Sequence, residues 1–251
     1  MSARSATNFA RKPKHSVQLT GRHTIRLGRT IASLIHGFTS ARMQMMSKKQ
    51  PDKPNTWYDF FAPGTDVLRN SLGIEDPQEL EDAERILSQA RLAVGADTIP
   101  RTFDFEHLRT IHLNLFQDVY PDWAGEVRPV GISKGVNFTE PYHIEAYAKD
   151  TFRKLAEKDF LQGLPRDAFV IEATELLGHL NAIHPFREGN GRAQREFIRQ
   201  LADEAGYDFD LSGVTADQNN EASYRSLAYG DDSGLHEIMD MAVKERAAKA
   251  A

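Results

Sequence analysis

The chain of 251 residues contains no cysteine. Disulfides, thiolate nucleophiles and cysteine-ligated metals are therefore excluded, which fits a reducing compartment, and the cytoplasm is the expected location. No apolar run is long enough to span a bilayer, so no membrane role is expected. There are no internal repeats. The phosphate-cradling pattern Gly-x-x-x-x-Gly-Lys-(Ser/Thr) is missing, as is any protein-kinase signature, so those two ATP folds are not in play. Acidic residues are missing from one end only. Met1 to Pro51 carries ten Lys or Arg and no Asp or Glu, whereas the chain from Asp52 onward carries 21 basic and 36 acidic residues, a net −15. The overall charge of −5 thus conceals two regions with different physics.

The first of these, 1–50, includes Arg4, Arg11, Lys12, Lys14, Arg22, Arg26, Arg29 and Arg42, with Phe9 and Phe38 as its aromatics. Such a composition predicts a solvated, disordered arm. Met43, Met45 or Met46 would each serve as an alternative start. The arm also imitates a transit peptide, a reading that the bacterial look of the rest disfavours. No motif supports nucleic-acid contact, and the acidic body argues against it.

The second region, 51–248, has the length of one domain with a sizeable core, and its spacing is mostly helical. Leu80, Ala83, Ile86, Leu87 and Ala90 predict a helix over Pro77 to Val94, opened by Pro77 and stopped at Gly95. Asp104 is placed to cap the next helix, with Leu108, Ile111, Leu115 and Phe116 inward. Val127 to Phe138 alternates loosely around Gly131 and Gly135 and predicts a β-hairpin. Helices follow over Pro141 to Phe160, Ala168 to Ile183, Ala193 to Ala205, Thr215 to Leu227, and Ser233 to about Ala247. The fold class is mostly α, a helical bundle with one small hairpin.

Between the fourth and fifth of these helices stands His184-Pro185-Phe186-Arg187-Glu188-Gly189-Asn190-Gly191-Arg192-Ala193-Gln194-Arg195. Glycines at a helix start let backbone amides approach an anion, and the helix dipole adds to the attraction. Arg192 and Arg195, three apart, share a face and can serve one polyphosphate. Glu188 is a hard oxygen ligand suited to Mg²⁺. His184 titrates where a general base must. Phe186 reads as an anchor for the loop, and His112 and His179 as satisfied core histidines. Together these residues point to phosphate-transfer chemistry.

This stretch resembles the complete signature of the Fic family, His-Pro-Phe-x-(Asp/Glu)-Gly-Asn-Gly-Arg-x-x-Arg, at every specified position. Leu108-Arg109, Ile111-His112, Phe116, Trp123-Ala124-Gly125 and Arg128 resemble the segment before the family's flap. Ala62-Pro63-Gly64-Thr65 with Leu68-Arg69-Asn70 resembles the opening of short bacterial Fic toxins. The likeness runs from roughly Trp57 to Val243.

The resemblance implies a Fic-fold bundle whose hairpin is the flap, and transfer of AMP from ATP, with Mg²⁺, to a Ser, Thr or Tyr hydroxyl of a target protein. His184 would be the base and Glu188 the metal ligand. Gly189, Asn190 and Gly191 would form the anion hole, Arg192 would take the β-phosphate side and Arg195 the γ-phosphate. Lys134 and Phe138 would sit on the flap that docks the target, and Tyr224 and Tyr229 lie where the family places nucleoside contacts.

Retention of Gly191 favours AMP transfer over the kinase activity of the Doc type. Transfer of UMP, phosphate or phosphocholine on the same scaffold stays open, as does a non-catalytic binding module. The family's inhibitory pattern Ser/Thr-x-x-x-Glu-Gly/Asn is absent: Ser71 to Glu75 is followed by Asp76, and Ser233 to Glu237 by Ile238. A separate small antitoxin carrying that glutamate is therefore implied, with type II topoisomerases (DNA gyrase, topoisomerase IV) as the candidate targets. No secretion domain follows the core, which disfavours an injected effector.

Overall fold

A computed structural model of the chain describes residues 53–95 and 98–246. The basic arm expected over 1–50 lies outside them. Seven α-helices and one two-stranded ladder follow in chain order: α1 (Pro77–Gly95), α2 (Phe105–Phe116), α3 (Pro141–Glu157), α4 (Arg166–Ile183), α5 (Asn190–Glu204), β1 (Tyr207–Phe209), α6 (Ala216–Tyr229), α7 (Ser233–Ala242) and β2 (Val243–Glu245).

The mostly helical fold is as the sequence predicts, and several boundaries carry the expected chemistry. The Asp104 carboxylate accepts from the His107 amide at 2.8 Å and caps α2. Thr215 and Gln218 form a reciprocal capping box at the start of α6. Pro141 occupies the first turn of α3, where its missing N–H removes nothing.

Helix α4 is the axis of the core. Phe169, Val170, Ala173, Leu176, Leu177, Leu180 and Ile183 are all buried on it, and it packs against α3, α5, α6 and α7. Helix α5 lies against α2 and α4 and contributes Phe197, whose ring meets Phe103 and Phe152 edge-on at 5.8 and 5.5 Å. The Gln194 amide donates across to the Leu180 carbonyl at 2.8 Å. The turn between α4 and α5 is thus suspended from two buried helices, and that turn carries the site.

Three expectations need correction. The segment Val127 to Phe138 forms no pair of strands; it is a loop closed by one bridge, Ser133 to Asn137, with the Phe138 amide donating to the Ile132 carbonyl at 3.2 Å. Gly131 and Gly135 weaken a strand, and the tip from Ser133 to Gly135 is exposed, so little apolar surface is left there to fix a ladder.

The last helix stops at Ala242 rather than near Ala247. Val243–Glu245 instead pairs antiparallel with Tyr207–Phe209, burying Val243 completely. Finally, α3 ends at Glu157, before Phe160. Asp159, Phe160 and Leu161 turn through positive φ, which swings Leu161 into the core, 1% exposed.

Candidate active site

His184 ends α4 in the left-handed region, at φ 41° and ψ 63°. That is a strained setting for a non-glycine residue, and several contacts hold it. Its amide donates to the Leu180 carbonyl at 3.1 Å. Its own carbonyl accepts from the Arg128 guanidinium at 2.8 Å. Its imidazole stacks on Phe138 at 3.7 Å and 18°.

The side chain is 8% exposed. Burial, reinforced by the positive charges of Lys134 and Arg128, pushes its pKa down to about 3. His184 is therefore neutral near pH 7. Nδ1 lies 3.3 Å from the Asn181 carbonyl oxygen, a partner that can only accept, so the Nδ1–H tautomer is fixed and Nε2 keeps its lone pair.

The segment from Phe186 to Gly191 is shaped by its own side chains. Phe186 is fully buried and stacks on His112 at 3.8 Å, the anchoring role that its sequence suggests. Asn190 is consumed by the loop: its carbonyl accepts from the Phe186 amide at 2.9 Å and its NH₂ donates to the Phe186 carbonyl at 2.8 Å. What faces an anion is therefore the backbone of the first turn of α5, whose amides no helix bond can take.

Gly189 has φ 77°, and a Cβ there would stand 2.3 Å from the Phe116 ring. A Cβ on Gly191 would meet the Arg195 guanidinium at 2.9 Å.

A cavity of about 630 Å³ opens beside this turn, within the usual range for a small-molecule site. His184, Gly191, Arg195, Asn181, Lys134 and Phe138 line one side, and Asp217, Asn220, Glu221 and Tyr224 of α6 the other. The structure thus brings His184, Gly191, Arg195, Lys134 and Phe138 to one space. Among the described residues no carboxylate pairs with Arg195; burial and the charge of Arg192 depress its pKa. Tyr224 faces this cavity, whereas Tyr229 is exposed and meets Tyr224 edge-on at 6.0 Å.

Arg192 does not line the cavity. Its guanidinium pairs with the buried Glu84 of α1, lies 4.5 Å over the Phe116 ring and stands 3.8 Å from Glu188. Glu188 accepts from the Gly189 amide at 2.8 Å through one oxygen and is partly exposed.

No group of three His, Asp or Glu able to hold a metal occurs among the described residues. Glu188 is not among the residues that line the cavity, but a single, partly exposed carboxylate beside it fits Mg²⁺, which keeps several waters and is bound through one or two carboxylates together with substrate phosphates. It does not fit a metal that needs a complete protein cage.

Two supporting residues, Arg128 and His112, were named in the sequence without a role in the site. Arg128 is 2% exposed. It donates to the carbonyls of His184, Val130 and Thr139 at 2.8, 2.6 and 2.5 Å, tying the loop 127–138 to the end of α4. His112 was read as a satisfied core residue. Its Nδ1 accepts from the Gly125 amide at 2.8 Å, so its Nε2 carries the proton and donates to the Glu188 carbonyl at 2.8 Å. His179, by contrast, meets the Tyr147 hydroxyl at 2.8 Å and takes no part in the cavity.

With this geometry in view, the relatives are informative. The Fic/DOC family model matches residues 102–202. The protein adenylyltransferase VbhT of Bartonella schoenbuchensis is 43% identical over 68% of this chain, which spans 36% of that longer protein. The probable protein adenylyltransferase y4lH of Sinorhizobium fredii is 40% identical over 66% of this chain and 86% of its own length. Among solved structures, BepC of Bartonella tribocorum with bound AMPPNP superimposes at a TM-score of 0.71, with 25% identity, over 75% of this chain and 98% of that one. By its motif, the geometry around it and these relatives, the chain belongs to the Fic/DOC family.

Proposed function

We propose that this protein is a protein adenylyltransferase, moving AMP from ATP to a hydroxyl side chain of a target protein. The observation that carries this reading is a neutral, tautomer-fixed His184 facing the same cavity as the unpaired Arg195. In support, VbhT is a protein adenylyltransferase, y4lH a probable one, and BepC holds AMPPNP.

In this mechanism His184 Nε2 accepts the proton of the target hydroxyl as that oxygen bonds to the α-phosphorus. The bond from the α-phosphorus to the α–β bridging oxygen breaks, and pyrophosphate leaves. Arg195 holds the phosphate end and the amides at the start of α5 take up developing charge, while Arg192, which the resemblance assigns to the β-phosphate side, is held on Glu84 outside the cavity. Glu188 would hold Mg²⁺, which neutralises phosphate charge when bound. The loop carrying Lys134 is the flap that docks an extended segment of the target.

The open guanidinium of Arg195 also supports control by a separate protein whose glutamate fills that place, and hence a toxin–antitoxin pair. DNA gyrase and topoisomerase IV are the proposed target class. The cytoplasm is the proposed location.

The test is to incubate the chain and His184→Ala with bacterial lysate, Mg²⁺, and ATP labelled at the α- or the γ-phosphate. The expected result is protein labelling from the α position alone, lost in the variant. Labelling from γ alone would establish phosphate transfer instead, and no labelling would favour a binding module. Activity that emerges on replacing Glu237 would overturn the separate antitoxin.

A further inference from the structure

Arg192 stands between two carboxylates of different character. Glu188 belongs to the same helix start, four residues earlier, and is partly exposed. Glu84 comes from α1, 108 residues away in the chain, and is 6% exposed. Burial raises the Glu84 pKa, while Arg192 and the Tyr120 hydroxyl favour its charged form. Tyr120 donates to one Glu84 oxygen and Arg192 to the other. Tyr120 is itself packed on Trp123 at 4.1 Å.

Glu188 precedes the N-cap Gly189 and so lies just outside α5, with one carboxylate oxygen already 3.8 Å from the Arg192 guanidinium. Without Glu84, the carboxylate left beside the guanidinium among the described residues is Glu188. Arginine on Glu188 and a divalent cation on Glu188 compete for the same oxygens.

We propose that Glu84 is a positioning residue that captures the Arg192 guanidinium and so keeps the Glu188 carboxylate open to a divalent cation. Glu84 touches neither nucleotide nor metal; it acts through Arg192. The arrangement accounts for a buried carboxylate on a helix that otherwise has no part in the site, and for an arginine of the motif that turns out of the cavity. It rests on the reading that Glu188 holds the Mg²⁺ of a bound nucleotide.

The readout is nucleotide binding, independent of turnover. The dissociation constant of AMPPNP for the full chain is measured calorimetrically in Mg²⁺ and in EDTA, and their ratio is the metal's contribution. In Glu84→Gln this ratio falls about two- to fivefold, the range of a partly exposed ion pair, while affinity in EDTA stays within about twofold. In Glu84→Gln/Arg192→Gln the competing guanidinium is gone and the ratio recovers. A role confined to stability would give no such recovery.

An unchanged ratio in Glu84→Gln overturns the proposal. So does a double variant as impaired as the single one, because the loss would then come from the field of Glu84 itself. If Glu84→Gln does not fold, Glu84→Asp replaces it: the charge is kept but withdrawn by one methylene, and a smaller fall is expected, with no fall counting against the idea. Wild-type protein that binds no AMPPNP in either buffer removes the adenylyltransferase reading and this proposal together. Tight binding that Mg²⁺ does not improve removes only the metal's place at Glu188, and with it the proposal.

Discussion

The ring of Phe138 lies 3.7 Å from that of His184, nearly parallel at 18°. One residue stands at the end of the loop 127–138 and the other at the end of α4, so in the proposed mechanism the docking loop and the base share one contact. With Phe138 in place the imidazole is dry, and burial holds its pKa near 3. AMP transfer should therefore show no acid limb near 6.5: kcat/KM is expected to be flat from about pH 5 to pH 8. Phe138→Ala admits water, raises the pKa toward 6.5 and brings in a limb near pH 6; Phe138→Leu largely prevents this. A wild-type limb centred at 6.5 would show that the histidine is solvated.

Stability should also depend on pH in a defined direction. His112 and His184 are both held near pKa 3, chiefly by burial. In the unfolded chain they take protons near 6.5, which the folded state refuses. Folding stability is therefore fully present above pH 6.5 and is lost as pH falls toward 3, by about 1.4 kcal/mol per unit for each histidine. Urea unfolding at pH 7, 6 and 5 measures this, and constant stability over that interval would contradict it.

The two glycines of the motif should separate fold from ligand. Gly189→Ala places a Cβ 2.3 Å from Phe116 at φ 77° and is expected to destabilise by about 3 kcal/mol. Gly191→Ala presses only on the flexible end of Arg195. It should leave thermal unfolding nearly unchanged while weakening AMPPNP binding several-fold. Equal loss of stability in both would mean that Arg195 cannot yield.

Arg128 bonds three carbonyls with one planar guanidinium. A lysine ammonium cannot reproduce that fork. Arg128→Lys is expected to lower stability by about 2–4 kcal/mol, the effect of buried acceptors left unpaired, and to lower kcat more than AMPPNP affinity, because the flap and His184 lose their common tie. A variant with wild-type kcat would restrict Arg128 to the fold.

The sequence by itself determined whatever is contiguous. His184 to Arg195 carries in twelve residues the histidine, the glycine turn and the arginine that face the cavity, and the helix spacing on either side orients them. Long helices with capped ends were legible for the same reason, since period and cap are local properties.

Tertiary structure decided what depends on partners far along the chain. Glu84 reaches Arg192 across 108 residues, His112 reaches Glu188 across 76, and Arg128 reaches His184 across 56. In sequence these are an ordinary helix glutamate, a histidine on an apolar face and an isolated arginine. The ladder of Tyr207–Phe209 with Val243–Glu245 was hidden too. Three residues are too few to show a period of two, and burial of Val243 against α4 outweighed continuation of the helix.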